Sequence, residues 1–131
     1  MEEGTIAALS TPSGRGGIAV IRISGDLAET ITKEIIEGVP DKITDRKAVH
    51  SFIHREDKRI EECVYTFFRN PNSYTGEDIV EISIHSNPHL SEVVLDLILS
   101  KGAREALPGE FTYRAFKNNK IDLIQAESVN E

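Results

Sequence analysis

Cysteine is almost missing from this sequence. Cys63 stands alone, which excludes a disulfide framework and any zinc site built on cysteines. Its setting, Glu62-Cys-Val-Tyr-Thr-Phe-Phe68, reads as a strand that buries the thiol. Long hydrophobic runs are missing too, and nothing approaches the roughly 18 consecutive apolar residues of a membrane span. The N-terminal Met1-Glu-Glu-Gly-Thr5 lacks the basic and apolar regions of a signal peptide. Together these absences predict a cytoplasmic protein without a membrane role. Positive charge is in deficit, with 15 Lys and Arg against 22 Asp and Glu, a net charge of −7. Phosphate binding is driven by clustered Lys and Arg, so the chain alone is not expected to grip nucleic acid over a broad surface. A local basic patch within a larger assembly remains compatible with this balance.

Several kinds of chemistry are also absent. Ser13-Gly-Arg-Gly-Gly17 resembles a phosphate cradle, but a P-loop needs Gly-x-x-x-x-Gly-Lys-Ser/Thr opening a helix. No lysine follows the loop, and Ile18-Ala-Val-Ile21 continues as strand, so a tight turn is expected and the chain is not expected to bind GTP by itself. His50 with His54, and His85 with His89, are spaced i, i+4. The first pair lies on a predicted strand and the second spans a turn, and neither has a third partner at ligand spacing. No serine or cysteine nucleophile with a positioned base is readable. No catalytic residue and no metal site are assigned.

What is present is the pattern of one α+β domain of 131 residues, long enough to bury a core. Strands are predicted at Thr5–Ser10, Ile18–Ser24, Ala48–His54, Glu62–Phe68 and Ile79–His85, with a short one within Ala103–Leu107. Asp26-Leu-Ala-Glu29 looks like a capping box opening a helix with Leu27, Ile31 and Ile35 on one side, ended by Gly38 and Pro40. Asn87-Pro88 supplies a cap and a first-position proline for a second helix. Its stripe is Leu90, Val93, Val94, Leu97 and Ile98, and it closes at Gly102. A short helix over Phe111–Lys117 follows, and another begins at Asp122 and is expected to be running still at Glu131. The sum is a mixed sheet of five or six strands with two or three interspersed helices on one face.

Two strands carry side chains that a core does not explain. On Ile79–His85 the two-residue period puts Val80, Ile82 and Ile84 on one side and Glu81, Ser83 and His85 on the other. That polar side is either solvated or reads a ligand. A strand-borne carboxylate suits two parallel hydrogen bonds from a planar amide–amine edge, as in a pterin or guanine. Arg22 ends the row Ile18, Val20, Arg22, either reaching to solvent or holding a ligand. Lys120, in Lys117-Asn-Asn-Lys120, is by default a solvated loop lysine. Spacing cannot bring Arg22, Glu81 and Lys120 together; only a fold can.

Four segments together resemble one family. They are Thr5-Ile-Ala-Ala-Leu-Ser-Thr-Pro-Ser-Gly-Arg-Gly-Gly-Ile-Ala-Val-Ile-Arg-Ile-Ser-Gly25, Pro71-Asn-Ser-Tyr-Thr-Gly-Glu-Asp78, Pro108-Gly-Glu-Phe-Thr-Tyr-Arg-Ala-Phe116 and Lys120-Ile-Asp-Leu-Ile-Gln-Ala-Glu127. They occur in the order found in the N-terminal domain of the tRNA modification GTPases MnmE, also called TrmE. The resemblance implies an α+β unit similar to the tetrahydrofolate-binding region of aminomethyltransferases, over residues 1–120. Residues 121–131 would then begin a helical domain. It implies a homodimer contact and the binding of 5-formyltetrahydrofolate or a related one-carbon tetrahydrofolate, with Arg22, Glu81 and Lys120 at the family's folate-contact positions.

The resembled full-length proteins hydrolyse GTP, with magnesium and potassium, in a domain outside this chain. With a flavin-dependent partner, MnmG (GidA), they modify C5 of the tRNA wobble uridine. One departure stands out: the family's His-Gly-Gly-Pro is His85-Ser-Asn-Pro88 here. If the glycines serve a positive φ or a close ligand approach, Ser86 and Asn87 would weaken the site. One alternative to folate binding is therefore a module that only dimerises or scaffolds. Another, independent of the resemblance, is a ferredoxin-like regulatory domain for a small molecule.

Overall fold

The structure is a computed structural model that describes residues 3–10 and 17–129. The expected tight turn at Thr11–Gly17 falls outside them, save for Gly17. Six strands occur in the described chain: β1 (Ile6–Leu9), β2 (Ile18–Ser24), β3 (Val49–Arg55), β4 (Lys58–Phe68), β5 (Ile79–His85) and β6 (Arg104–Glu105). Four helices join them: α1 (Ala28–Ile35), α2 (Pro88–Ser100), α3 (Glu110–Lys117) and α4 (Leu123–Ser128). The fold is α+β as expected, with four helices where two or three were expected. The expected helix from Asp122 is present, but it stops at Ser128, with Val129 extended. The element order is not the β-α-β-β-α-β sequence of a ferredoxin-like unit.

The strands form one mixed sheet in the order β3-β4-β5-β2-β1-β6. All neighbours are antiparallel except β1 and β6, which run parallel. The central strands β2 and β5 pair along their whole length, with Ile21 opposite Ile82 and Arg22 opposite Glu81. This register puts Ala19, Ile21, Ile23, Val80, Ile82 and Ile84 on one face, all buried. Tyr65 and Phe67 of β4 extend that face, and Cys63 is buried among them. Ile31 and Ile35 of α1 and Val94, Leu97 and Ile98 of α2 cover it. Burial pushes the Cys63 thiol up to about 12, so it is a core group and not a reactive one.

Two helix starts show how much of the local reading survived. Asn87 caps α2 as expected, its Oδ1 accepting from the His89 and Leu90 amides at 3.0 and 3.2 Å. Asp26 does not cap α1. That helix begins at Ala28 behind Leu27, which makes no side-chain cap. The Leu27 amide instead donates to Thr5 Oγ1 at 2.9 Å, a cap supplied by the residue just before β1. Gly25 allows this approach: its φ is 137°, and a Cβ there would stand 2.7 Å from Thr5 Cα. A capping box does form at Asp122 and Gln125.

The helices do not share one face. α3 lies against the other side of the sheet, where its Phe111 ring meets the Arg22 guanidinium at 5.3 Å. There Ile6, Ile79, Phe111 and Ala115 are buried, apart from the main core. This small second layer is what turns the polar side of β2 and β5 into a walled site.

Candidate functional site

The floor of the site is the pair Arg22 and Glu81, opposite each other on β2 and β5. Arg22 Nε and Nη2 both donate to Glu81 Oε2 at 3.1 Å. Oε1 of Glu81 accepts no hydrogen bond among the described residues. The guanidinium is held between the Tyr74 ring, at 5.4 Å, and Phe111, and Tyr74 is anchored by its hydroxyl to Thr112 Oγ1 at 2.9 Å. An Arg stacked in this way keeps its fork in one orientation. Arg22 therefore orients the Glu81 carboxylate toward a planar donor edge.

Lys120 arrives from the turn after α3. Asn119 adopts a φ of 61°, and the Lys120 amide donates to Ala115 O at 2.8 Å. The turn is pinned to the loop before β5: Asn118 Nδ2 donates to Thr75 O at 2.8 Å. Gly76, with φ of 82°, lies so near that a Cβ would meet Asn118 Cβ at 2.9 Å and Lys120 Cγ at 3.5 Å. Lys120 makes no ion pair among the described residues.

Glu81 and Lys120 line one cavity of about 430 Å³, together with Arg46, Phe68, Tyr74 and Ile79. Arg22 lines an adjoining hollow of about 500 Å³, walled by Leu9, Ala106, Leu107 and Phe111. The three residues singled out in the sequence thus meet along one ridge. Arg22 stands on one side of it, and Glu81 with Lys120 on the other. Both volumes fall in the usual range of small-molecule sites, roughly 300–1,000 Å³.

Ser83 and His85 share the face of Glu81 but not its cavity. They line a separate hollow of about 210 Å³ with Ile18, His50, Val64 and Ile84. His85 Nδ1 meets Glu61 Oε2 at 2.9 Å, and that hydrogen-bonded carboxylate raises the imidazole pKa. The alternating side chains of β5 therefore serve two places. Among the described residues, no group of three or more His, Cys, Asp and Glu could hold a metal ion. No helix among them is long and apolar enough to cross a membrane.

Beneath the site runs a network that sequence reasoning missed. Ser24 Oγ bonds Thr75 Oγ1 and Glu77 Oε1, each at 2.8 Å. Glu77 takes Arg114 at 3.0 Å, and Arg114 also reaches Glu110 at 3.4 Å. Glu110 in turn takes Arg104 at 2.5 Å. The one sequence signal was the charged pair Glu110 and Arg114, spaced i, i+4 beside Phe111 and Ala115 on what would be a buried helix face. Arg46 and Phe68 gave none.

The replaced glycines do not distort the rim. Neither Ser86 nor Asn87 takes a positive φ: Asn87 is extended at −150°, and the Ser86 amide donates to Gly17 O at 3.0 Å. The backbone here is one that any residue adopts.

Residues 5–120 match the family described as GTP-binding protein TrmE N-terminus. Curated proteins named tRNA modification GTPase MnmE are similar over almost the whole chain. That of Thermotoga maritima is 46% identical over 97% of it, that of Nitrosomonas europaea 44% over 95%, and that of Chlamydia caviae 43% over 95%. The chain spans 28% of the length of the Thermotoga and Chlamydia proteins and 27% of the Nitrosomonas one.

Proposed function

This chain belongs to the TrmE N-terminal family, and on that premise we propose that it binds a one-carbon tetrahydrofolate and forms a homodimer. In this reading it serves a tRNA modification GTPase acting at C5 of the wobble uridine, with residues 1–120 as the domain. The observation that carries it is the Glu81 carboxylate, held by Arg22 at 3.1 Å and lining a cavity with Lys120.

The residues fit the ligand's chemistry. A reduced pterin presents an amino group and a ring N–H side by side, the donor pair that one ionised carboxylate accepts. Tyr74 and Phe68 give the cavity aromatic wall, and Lys120, with no ion pair among the described residues, brings a cation for carbonyl or carboxylate oxygens. When bound, the folate would supply the one-carbon group; the chain binds and orients it. The chain has no P-loop, so GTP, magnesium and potassium belong to the rest of the longer protein, as do the tRNA and the flavin-dependent partner. Homodimerisation has apolar surface available on the open sheet face, where Ile18 is 61% exposed and Val64 stands beside it.

Calorimetric titration with 5-formyltetrahydrofolate tests the reading. Replacing Glu81 by Gln removes a charge-assisted acceptor, so affinity should fall by about one to two decades, or roughly 1.5–3 kcal/mol. Equal affinity in Glu81→Gln would remove Glu81 from the site. Parent binding weaker than about millimolar would leave dimerisation or scaffolding as the function.

A further inference from the structure

Arg46 belongs to no motif above, yet it lines the same cavity as Glu81 and Lys120. Its backbone is held in the left-handed region, at φ of 59°, a conformation that non-glycine residues adopt only at an energetic cost. The Arg46 amide donates to Phe67 O at 2.8 Å, so the edge of β4 holds the residue in place. Its guanidinium lies over the Phe68 ring at 5.4 Å and donates through Nη2 to Asn72 O. Asp45 Oδ2 stands 3.6 Å from Nε. A guanidinium has five N–H donors, and one is used among the described residues. The side chain is fixed and still half exposed, with donors to spare.

The sheet register places this cation relative to Glu81. Thr66 pairs with Glu81 and Phe68 with Ile79, so the ring under Arg46 is two residues along, about 7 Å from the Glu81 level. A ligand with its donor edge on Glu81 that runs along β5 toward Ile79 passes Phe68, and a far end that extends beyond that ring comes to Arg46, whose guanidinium lies over it. For a folate that end carries carboxylates. A planar fork locked on a ring suits a carboxylate, whereas Lys120 offers a flexible point charge.

We infer that Arg46 is a specificity residue that binds a carboxylate of the folate's glutamate tail, making the site select tail-bearing folates over the bare pterin headgroup. This rests on the folate reading of the site.

The test titrates this chain with three probes: 5-formyltetrahydrofolate, its tri-γ-glutamyl form, and 5-formyltetrahydropteroate, which lacks glutamate. The parent should bind the two tail-bearing ligands about tenfold or more tighter than the pteroate. Arg46→Gly should abolish that preference, weakening the two tail-bearing ligands about tenfold or more beyond any change for the pteroate. Arg46→Lys should be intermediate. The inference fails if the parent shows no preference, if Arg46→Gly keeps it, or if Arg46→Gly weakens all three ligands alike. A parent that binds none of the three overturns the folate reading itself, and this inference with it.

Discussion

Glu110 has no exposed surface, yet it is a carboxylate. Arg104 at 2.5 Å and Arg114 at 3.4 Å flank it, and the Leu107 amide donates to it at 2.9 Å. The bond from Arg104 holds its carboxyl below the usual carboxylate range, against burial, which pushes it up. A carboxyl depressed by folding adds stability above its unfolded value, near 4.3, and loses it as pH falls through the lower folded value. Urea midpoints should therefore drop as pH goes from about 5 toward 3, and less steeply in Glu110→Gln. At neutral pH that variant removes the buried carboxylate that Arg104 and Arg114 share and should lose about 3 kcal/mol. A loss under about 0.5 kcal/mol would mean the network carries little of the second layer's stability. Glu110 and Arg114 were readable as an i, i+4 pair. Arg104 and Glu77 were not, because they come from a different strand and loop.

At the scale of elements, the site depends on two loops locked together. The loop before β5 and the turn after α3 touch where Gly76 meets Asn118 and Lys120. Gly76→Ala would add a Cβ 2.9 Å from Asn118 Cβ on a backbone at φ of 82°. It should cost roughly 1–3 kcal/mol in thermal or urea unfolding and move Lys120, weakening the proposed folate binding further than the stability loss alone would. Unchanged stability with unchanged binding would show that the two loops are not coupled. The limits of β2 and β5 were legible residue by residue, since alternation over seven residues admits one burial pattern. The start of α1 was not. Asp26 had the chemistry of a cap, but Thr5, just before β1, meets the Leu27 amide from 22 positions away in sequence.

For the molecule as a whole, charge and sheet packing set separate limits. A net charge of −7 leaves little electrostatic drive toward phosphate, so this chain alone should bind unmodified tRNA more weakly than about 10⁻⁴ M at physiological salt. A filter-binding assay at about 150 mM salt checks this, and tight, salt-sensitive retention would overturn it. The central sheet buries one face under α1 and α2 and leaves the other for α3 and the cavities, so one fold provides both a core and a site. That division follows from pairing Arg22 with Glu81 across β2 and β5.

By itself the sequence determined the strands, most helix limits, the burial of Cys63 and the family, because periodicity, capping chemistry and ordered motifs act over short separations. Only the tertiary structure decided that Arg22 grips Glu81, that Lys120 and Arg46 line one cavity with Glu81, and that α3 takes the opposite face. Those outcomes depend on strands pairing across 59 positions and on loops meeting across 43, where no local propensity reaches.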